Sequence, residues 1–153
     1  MPEISRKVTQ DAQKSGIDQL FLKDPLLFSE LLLDGRIRQY RKADKMSAST
    51  IFFDRGIPDV LAYLNYLKTD FPGEFMEKCL AHNYDFVFIM PPWKNIYKTD
   101  NERYESFNQA LSIHDKLIEI YENLNYKPIT VPPGNVKSRS EFITNLLFYD
   151  EWC

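Results

Sequence analysis

Short apolar segments that fit buried strands alternate along the chain with longer segments of helical periodicity, and this alternation constrains the fold most. Residues 85–90 are the clearest strand, because an unbroken apolar run ends at Pro91-Pro92. Residues 50–53 and 128–131 are shorter and rich in β-branched or aromatic side chains. A strand that is apolar on both faces is typical of a parallel sheet covered on both sides. The sequence therefore predicts an α/β fold with a mostly parallel sheet.

Helices are predicted between these strands from apolar spacing and capping residues. Asp24-Pro25 has the N-cap and first-turn proline of a helix that runs to about Lys42. Thr99 and Glu102 resemble a capping box that opens a helix to about Leu124. The other predicted helices cover residues 3–15, 58–67, 74–82 and 137–149. No repeat or linker-like tract interrupts residues 1–153, which we therefore interpret as a single domain.

Composition excludes several classes of function. Lys and Arg number 19 against 22 Asp and Glu, which gives no reason to expect a nucleic-acid or anionic-membrane partner. Two cysteines and two histidines are too few for a disulfide framework or a dedicated zinc site. No apolar run approaches the length of a membrane span or a secretion signal, so we expect a cytoplasmic protein.

Glycine is scarce and scattered: five glycines occur, and no two lie closer than 17 residues. A phosphate-binding loop needs clustered glycines so that successive backbone N–H groups can turn inward. Neither GxxxxGK[ST] nor GxGxxG can be written anywhere in these 153 residues.

The residues that follow each predicted strand are the candidates for chemistry, because ligands of open α/β sheets bind at the carboxyl ends of the strands. Asp54-Arg55 follows the first strand. The aspartate can accept a proton from a hydroxyl group or hold hydrated magnesium, and the arginine can grip a phosphate or carboxylate. The alternative is a strand-end turn with a local salt bridge.

Positive charge also lies at or just before the start of a predicted helix, at Lys98 and Arg103. The helix dipole disfavours cations there, and an anionic ligand would remove that penalty. Ordinary solvated charge, offset by Asp100 and Glu102, explains the pattern equally well. Near the start of the chain, Glu3 and Arg6 lie one helical turn apart, where an exposed ion pair is the default.

Two other motifs are excluded. His114-Asp115 with His82 superficially matches metal phosphohydrolases of the HD type, but those sites need further His and Asp ligands on an all-helical scaffold. His114 falls on the apolar side of its predicted helix and is better read as a core histidine. Asp54 also fails the DxDx[TV] pattern of haloacid-dehalogenase phosphatases, because Gly56 replaces the second aspartate.

Three segments together resemble a known family. FFDRGIPD at 52–59, PPWKNIYKTDNER at 91–103 and Val131-Pro132 are similar, in order, to segments of bacterial predicted ATPases of the AAA domain type, which look like P-loop nucleoside and nucleotide kinases. The opening PEISR at 2–6 resembles the family's Pro-Glu-x-x-Arg at the end of its second strand. The resemblance implies a P-loop NTPase-like three-layer sandwich that uses ATP and magnesium to act on a small acceptor.

The resemblance also implies roles for individual residues. Asp54 would act near the magnesium or the acceptor hydroxyl, and Arg55 on the anionic group of the acceptor. Lys98 and Arg103 would be lid cations that reach the nucleotide phosphates. Glu3 and Arg6 would line the acceptor pocket. The loop near the adenine would be formed by Pro132, Pro133, Asn135 and Val136.

The chain departs from the family at its start, because family members begin with a strand, a Walker A loop and a helix that are missing here. The resemblance thus implies an N-terminally incomplete domain, with exposed strand edges and possible self-association where the first strand would lie. Two explanations are open: a truncated product of a phosphotransferase or ATPase, or a degenerate homologue that keeps a binding role. We favour truncation because Asp54, Arg55 and the lid cations are retained.

Overall fold

The computed structural model describes residues 1–96 and 105–148. Contacts between residues divide the chain into two compact units, residues 1–83 and residues 84–153. Within the described residues the fold is mixed α/β and mostly helical, with seven helices and two strands.

The first unit is helical, and most of its helices follow the predictions. Its elements are α1 (Ser5–Lys14), α2 (Leu20–Lys23), α3 (Pro25–Ala43), α4 (Asp59–Tyr66) and α5 (Gly73–Leu80). The short helix α2 was not predicted, since four residues are too few to show helical periodicity.

Local sequence explains where these helices begin and end. The Asp24 side chain accepts a hydrogen bond from the backbone N–H of Leu27 at 2.9 Å, which confirms the predicted cap of α3. Gly16 has φ of +77° just after α1, a conformation that glycine adopts at little cost. The backbone N–H of Ile17 then bonds to the carbonyl of Ala12 at 3.0 Å and closes the helix end.

Helix α3 organises the first unit, because it packs against α1, α2 and α4. Gly35 allows a close approach to the start of α1: a Cβ at this position would lie 2.6 Å from Cγ2 of Ile4. Large apolar side chains that are almost completely buried in this unit include Leu33, Ile57, Val60, Leu61, Leu64, Phe75 and Cys79. The core of this unit is thus built from α3, α4, α5 and Ile57, which follows the turn at residues 54–56.

The second unit contains β1 (Phe88–Ile89), α6 (Phe107–Asn123), β2 (Ile129–Thr130) and α7 (Val136–Phe148). The two strands are parallel, with Phe88 opposite Ile129 and Ile89 opposite Thr130. The parallel arrangement predicted for residues 85–90 and 128–131 is therefore confirmed, although both strands are shorter than predicted. Ile89, Ile113, Leu117, Ile120, Tyr121 and Val131 are buried.

The prediction of a strand at residues 50–53 is wrong, because these residues do not form one. Its end does form strand-like bonds: the terminal amino group of Met1 donates to the Phe52 carbonyl, and the Asp54 N–H donates to the Met1 carbonyl at 3.1 Å. Two bonds to a single residue do not extend into a ladder, so the segment remains extended without becoming a strand. Within the described residues the only sheet is that of β1 and β2, and the predicted three-layer sandwich is not confirmed.

Two further predictions need correction. Phe86 and Met90 are 52% and 54% exposed, so the segment around β1 is not covered on both sides as its apolar sequence predicted. Helix α6 begins at Phe107 rather than near Thr99, because Ser106 and Gln109 form the capping box that starts it. Residues 97–104, which contain the predicted box, lie outside the described residues. Among the helices described, none combines the length and apolar character needed to cross a membrane.

Candidate functional site

The turn at Asp54–Gly56 is the centre of the candidate site. It follows the extended segment in which the Phe53 ring stacks on Tyr40 of α3, with ring centres 6.0 Å apart. The backbone of Asp54 is bonded to Met1, and the carbonyl of Gly56 accepts a hydrogen bond from Nη1 of Arg36 at 2.7 Å. The turn is therefore anchored on both sides by the first unit.

Arg55 has an unusual backbone conformation at this turn. Its φ is +76°, in the left-handed region that side-chain-bearing residues adopt at a cost of about 1–2 kcal/mol. Such strain persists only where surrounding contacts enforce it, and it concentrates at functional positions. Here the bonds made by Asp54 and Gly56 on either side enforce it.

The guanidinium of Arg55 is held by Asp59, one turn into the following helix. Nη1 of Arg55 lies 3.7 Å from Oδ2 of Asp59; the Arg55 side chain is 39% exposed and the Asp59 side chain only 6%. Partial burial lowers the pKa of Arg55, whereas the negative charge of Asp59 raises it more than any other neighbour does. The net effect is a raised pKa. Smaller contributions in the same direction come from Tyr63, Glu3 and Asp54. Arg55 therefore stays charged, with its guanidinium partly open to solvent.

Glu3 and Arg6 lie at the start of α1 and form the predicted ion pair. Nε of Arg6 is 3.3 Å from Oε2 of Glu3, and the Ser5 hydroxyl donates to Oε1 of Glu3. The Glu3 side chain is 25% exposed, and its charge also acts on Arg55. The fold thus brings together Glu3, Asp54 and Arg55, which are separated by about fifty residues of sequence.

Arg36, which bonds to the turn through Gly56, is a residue of the site that the sequence pattern did not predict. Arg36 is 5% exposed on α3, and its Nε has no hydrogen-bond partner within the described part of the chain. The buried side of α3 includes Ser29, Leu32, Leu33, Arg36 and Ile37. The helical spacing of α3 could have identified Arg36, because it places this cation among apolar residues, where it must find a buried partner. That partner is the Gly56 carbonyl.

Cys79 of α5 lies near this buried group. Burial raises the pKa of its thiol to about 12, while the positive charge of Arg36 lowers it and the negative charge of Asp59 raises it further. The thiol is 1% exposed and remains protonated at neutral pH, so it has the properties of a core side chain rather than of a nucleophile.

The remaining predicted residues lie elsewhere. Pro132, Pro133, Asn135 and Val136 form an exposed loop of the second unit, before and at the start of α7. Oδ1 of Asn135 accepts a hydrogen bond from the Ser138 N–H at 2.8 Å and so caps α7. Lys98 and Arg103 lie outside the described residues. His114 is half-buried on α6, between the buried residues Ile113 and Leu117.

The fit of magnesium and ATP can be judged from the donor groups. Among residues 1–96 and 105–148, no three Asp, Glu, His or Cys side chains cluster to hold a metal ion. Asp54 is an exposed carboxylate beside a guanidinium, and protein-bound magnesium relies on one or two carboxylates together with phosphate oxygens. The 153 residues contain no glycine-rich loop to hold those phosphates. The residues present do not by themselves fit a magnesium nucleotide.

A family model described as AAA domain matches residues 1–139. The chain belongs to the AAA domain family. Membership supports a P-loop NTPase fold and an ATPase-like, nucleotide-related function. The match runs through the Glu3–Arg6 pair, the Asp54–Gly56 turn and the loop before α7. Comparison with curated proteins and with solved structures gives no match.

Proposed function

We propose that this chain supplies the acceptor-binding side of an ATP-dependent phosphotransferase or ATPase of the P-loop kinase type. The observation that carries the proposal is Arg55, a charged residue held in a strained backbone conformation beside Asp54 and tied to the buried Asp59. Positive φ also occurs at Gln19, Lys68 and Asn125. What singles out Arg55 is therefore the combination of this conformation with the Asp59 ion pair and the adjacent Asp54 carboxylate.

Arg55 is the residue that binds the anionic group of the acceptor. A guanidinium has five N–H donors in a planar fork, so one contact with Asp59 leaves donors for a phosphate or carboxylate. Asp59 also fixes the direction of the fork, which lowers the conformational entropy lost when the acceptor binds.

Asp54 is the general base or the carboxylate nearest the metal. Its exposed carboxylate follows the extended segment directly and can accept the proton of an acceptor hydroxyl, or of water in an ATPase. Glu3 and Arg6 line the acceptor pocket, since Glu3 acts electrostatically on Arg55 and is paired with Arg6. The acceptor is a small molecule that carries a hydroxyl and an anionic group.

The nucleotide side of the proposal rests on family membership alone. Lys98 and Arg103 are proposed as lid cations for the phosphates, and the loop Pro132–Val136 as the adenine contact. When bound, ATP would supply the phosphoryl group and magnesium would neutralise its charge. The elements that cradle the phosphates are not present in these 153 residues.

A second candidate function is a non-catalytic binding module on the same scaffold. The two functions differ in what the complete coding region specifies. In the first, sequence in frame upstream of Met1 encodes a Walker A loop; in the second, it does not.

The test uses the chain together with any in-frame upstream sequence and measures magnesium-dependent ATP hydrolysis. We expect turnover that falls about 100-fold or more on Asp54→Asn, the loss typical of removing a positioned base. Asp70→Asn, at another exposed aspartate, is the matched control and should leave turnover unchanged. Turnover that Asp54→Asn leaves intact would contradict the assigned role, and an intact phosphate loop without ATP binding would contradict the enzyme as a whole.

A further inference from the structure

A cleft of about 530 Å³ lies among α1, α2 and α3. Its volume falls within the range of about 300–1,000 Å³ that is typical of small-molecule sites. Glu3, Arg6, Asp54 and Arg55 are not among the described residues that line it. The cleft is therefore separate from the candidate site, and an inference about it stands independently of the proposed function.

The two ends of the cleft differ in chemistry. Leu27 and Leu31 line it from the first half of α3, whereas Arg38 and Lys42 line it from the second half. At 1.5 Å per helical residue, Leu27 and Lys42 are separated by about 22 Å along the helix axis. The cleft is therefore long, apolar at one end and cationic at the other.

The opposite wall is mixed in chemistry, because Asp11 and Ser15 line it beside its apolar residues. The start of α1 lies against the second half of α3, because Gly35 faces Ile4 and Nε2 of Gln39 donates to the Pro2 carbonyl at 2.6 Å. Lys7 adds a third cation to the cleft from α1. Apolar lining from α1 onwards is contributed by Val8, Ala12, Ile17 and Leu20.

The charge of the cleft is not balanced internally. In the part of the chain that the structure describes, Lys7, Arg38 and Lys42 make no ion pair, and all three are exposed. Asp11 is the carboxylate that lines the cleft, and it pairs with Lys14 at 3.5 Å. Leu27 and Leu31 are 40% and 41% exposed, so apolar surface is also left open to solvent. An occupant that complements both ends has an anionic head and an extended apolar chain.

We propose that this cleft binds a free long-chain fatty acid. The carboxylate lies at Arg38 and Lys42, where a guanidinium and an ammonium group offer charge-assisted hydrogen bonds. The hydrocarbon chain runs along α3 towards Leu31 and Leu27 and covers their exposed surface. A fatty acid fits better than a compact anion, because a compact anion would leave the apolar end of the cleft in water.

The first experiment titrates the full chain with saturated fatty acids from octanoate to palmitate, below their micelle concentrations, by calorimetry. We expect one site per chain and an affinity that rises about threefold to fourfold for each added methylene while the chain still fits the cleft. The uncharged methyl esters should bind at least tenfold more weakly than the acids. Absence of saturable binding, or equal affinity for acid and ester, would overturn the proposal.

Variants then locate the site. Arg38→Gln combined with Lys42→Gln should weaken palmitate binding at least tenfold, and Leu31→Gln should remove the dependence on chain length. Arg41→Gln is the matched control, since Arg41 is exposed on α3 but does not line the cleft. Circular dichroism checks that each variant keeps the helical content of the parent chain. Equal weakening by Arg41→Gln would contradict the assignment.

Sedimentation velocity tests whether the occupant of the cleft is a second copy of the chain rather than a fatty acid. We expect the oligomeric state without fatty acid to be the same for the parent chain and Leu31→Gln. A dimer that Leu31→Gln dissociates would place a second copy in the cleft and would overturn the fatty-acid proposal.

Discussion

Gly35→Ala tests how tightly α1, which carries Glu3 and Arg6, is held against α3. Two opposing effects decide the result. Alanine is favoured over glycine in a helix interior by about 1 kcal/mol. The new Cβ would lie 2.6 Å from Cγ2 of Ile4, whereas carbon atoms pack at about 3.5–4.0 Å, so one helix must move by about 1 Å. Overpacking of this kind costs about 1–3 kcal/mol. We expect a net loss of about 1 kcal/mol of unfolding free energy.

Removing the clashing methyl group should reverse the sign. In an Ile4→Ala background, the nearest remaining atom is the Cβ of residue 4, at the ordinary distance of 3.7 Å. Gly35→Ala should then stabilise by about 1 kcal/mol through helix propensity alone. The double-mutant cycle should therefore show a coupling of about 2 kcal/mol between the two positions.

Urea unfolding followed by circular dichroism measures the four proteins of the cycle. The slope with urea should stay constant, so that shifts in midpoint report stability. Gly73→Ala is the matched control, because a Cβ there meets no atom within 4 Å and its effect should not depend on residue 4. A Gly35→Ala effect of the same sign and size in both backgrounds would refute the close contact between α1 and α3.

Three other predictions concern single positions. Burial raises the pKa of Cys79 from 9.0 to about 12, so the stability that the buried neutral thiol contributes is complete below about pH 9 and is lost as pH rises towards 12. Cys79→Ala should therefore flatten the decline of the urea midpoint above pH 9, and an unchanged decline would contradict this. In urea unfolding, the Arg55→Gly variant should be about 1 kcal/mol more stable than Arg55→Ala, because only alanine keeps the strain of a positive φ. Equal stabilities of the two variants would contradict a strained turn. Exposed Phe86 and Met90 should cause concentration-dependent association in sedimentation velocity that Phe86→Ser reduces, whereas a monomer at all concentrations would contradict it.

Local signals predicted most helices of the fold. Asp24-Pro25 and Gly16 end or begin helices through short-range hydrogen bonds and backbone conformation, so the residues next to them are enough to predict these helix ends. The prediction of a strand at residues 50–53 was wrong because a strand needs a backbone partner over several residues, whereas the backbone bonds described at the end of this segment go to a single residue, Met1. Pairing of this kind depends on distant sequence, which local composition does not contain.

The sequence was enough to predict the exposed residues of the candidate site, but not the buried residue that holds the turn in place. Asp54 and Arg55 stand out because they follow an apolar segment. The buried contact of Arg36 with the Gly56 carbonyl spans twenty residues, and its cause is the packing of α3 behind the turn. The left-handed conformation of Arg55 was equally hidden, because a non-glycine residue gives no local signal of positive φ.

The most direct test of the central claim is a calorimetric titration of the 153-residue chain with ATP, with and without magnesium, at about 0.15 M salt. This chain is proposed to carry the acceptor side of the site and the lid cations, and its 153 residues contain no loop that cradles phosphates. Much of the nucleotide affinity of a P-loop protein comes from that loop. We therefore predict no saturable, magnesium-dependent binding. Micromolar, magnesium-dependent binding of ATP by a monomer would contradict the account, because the phosphates would then be held by residues other than those assigned.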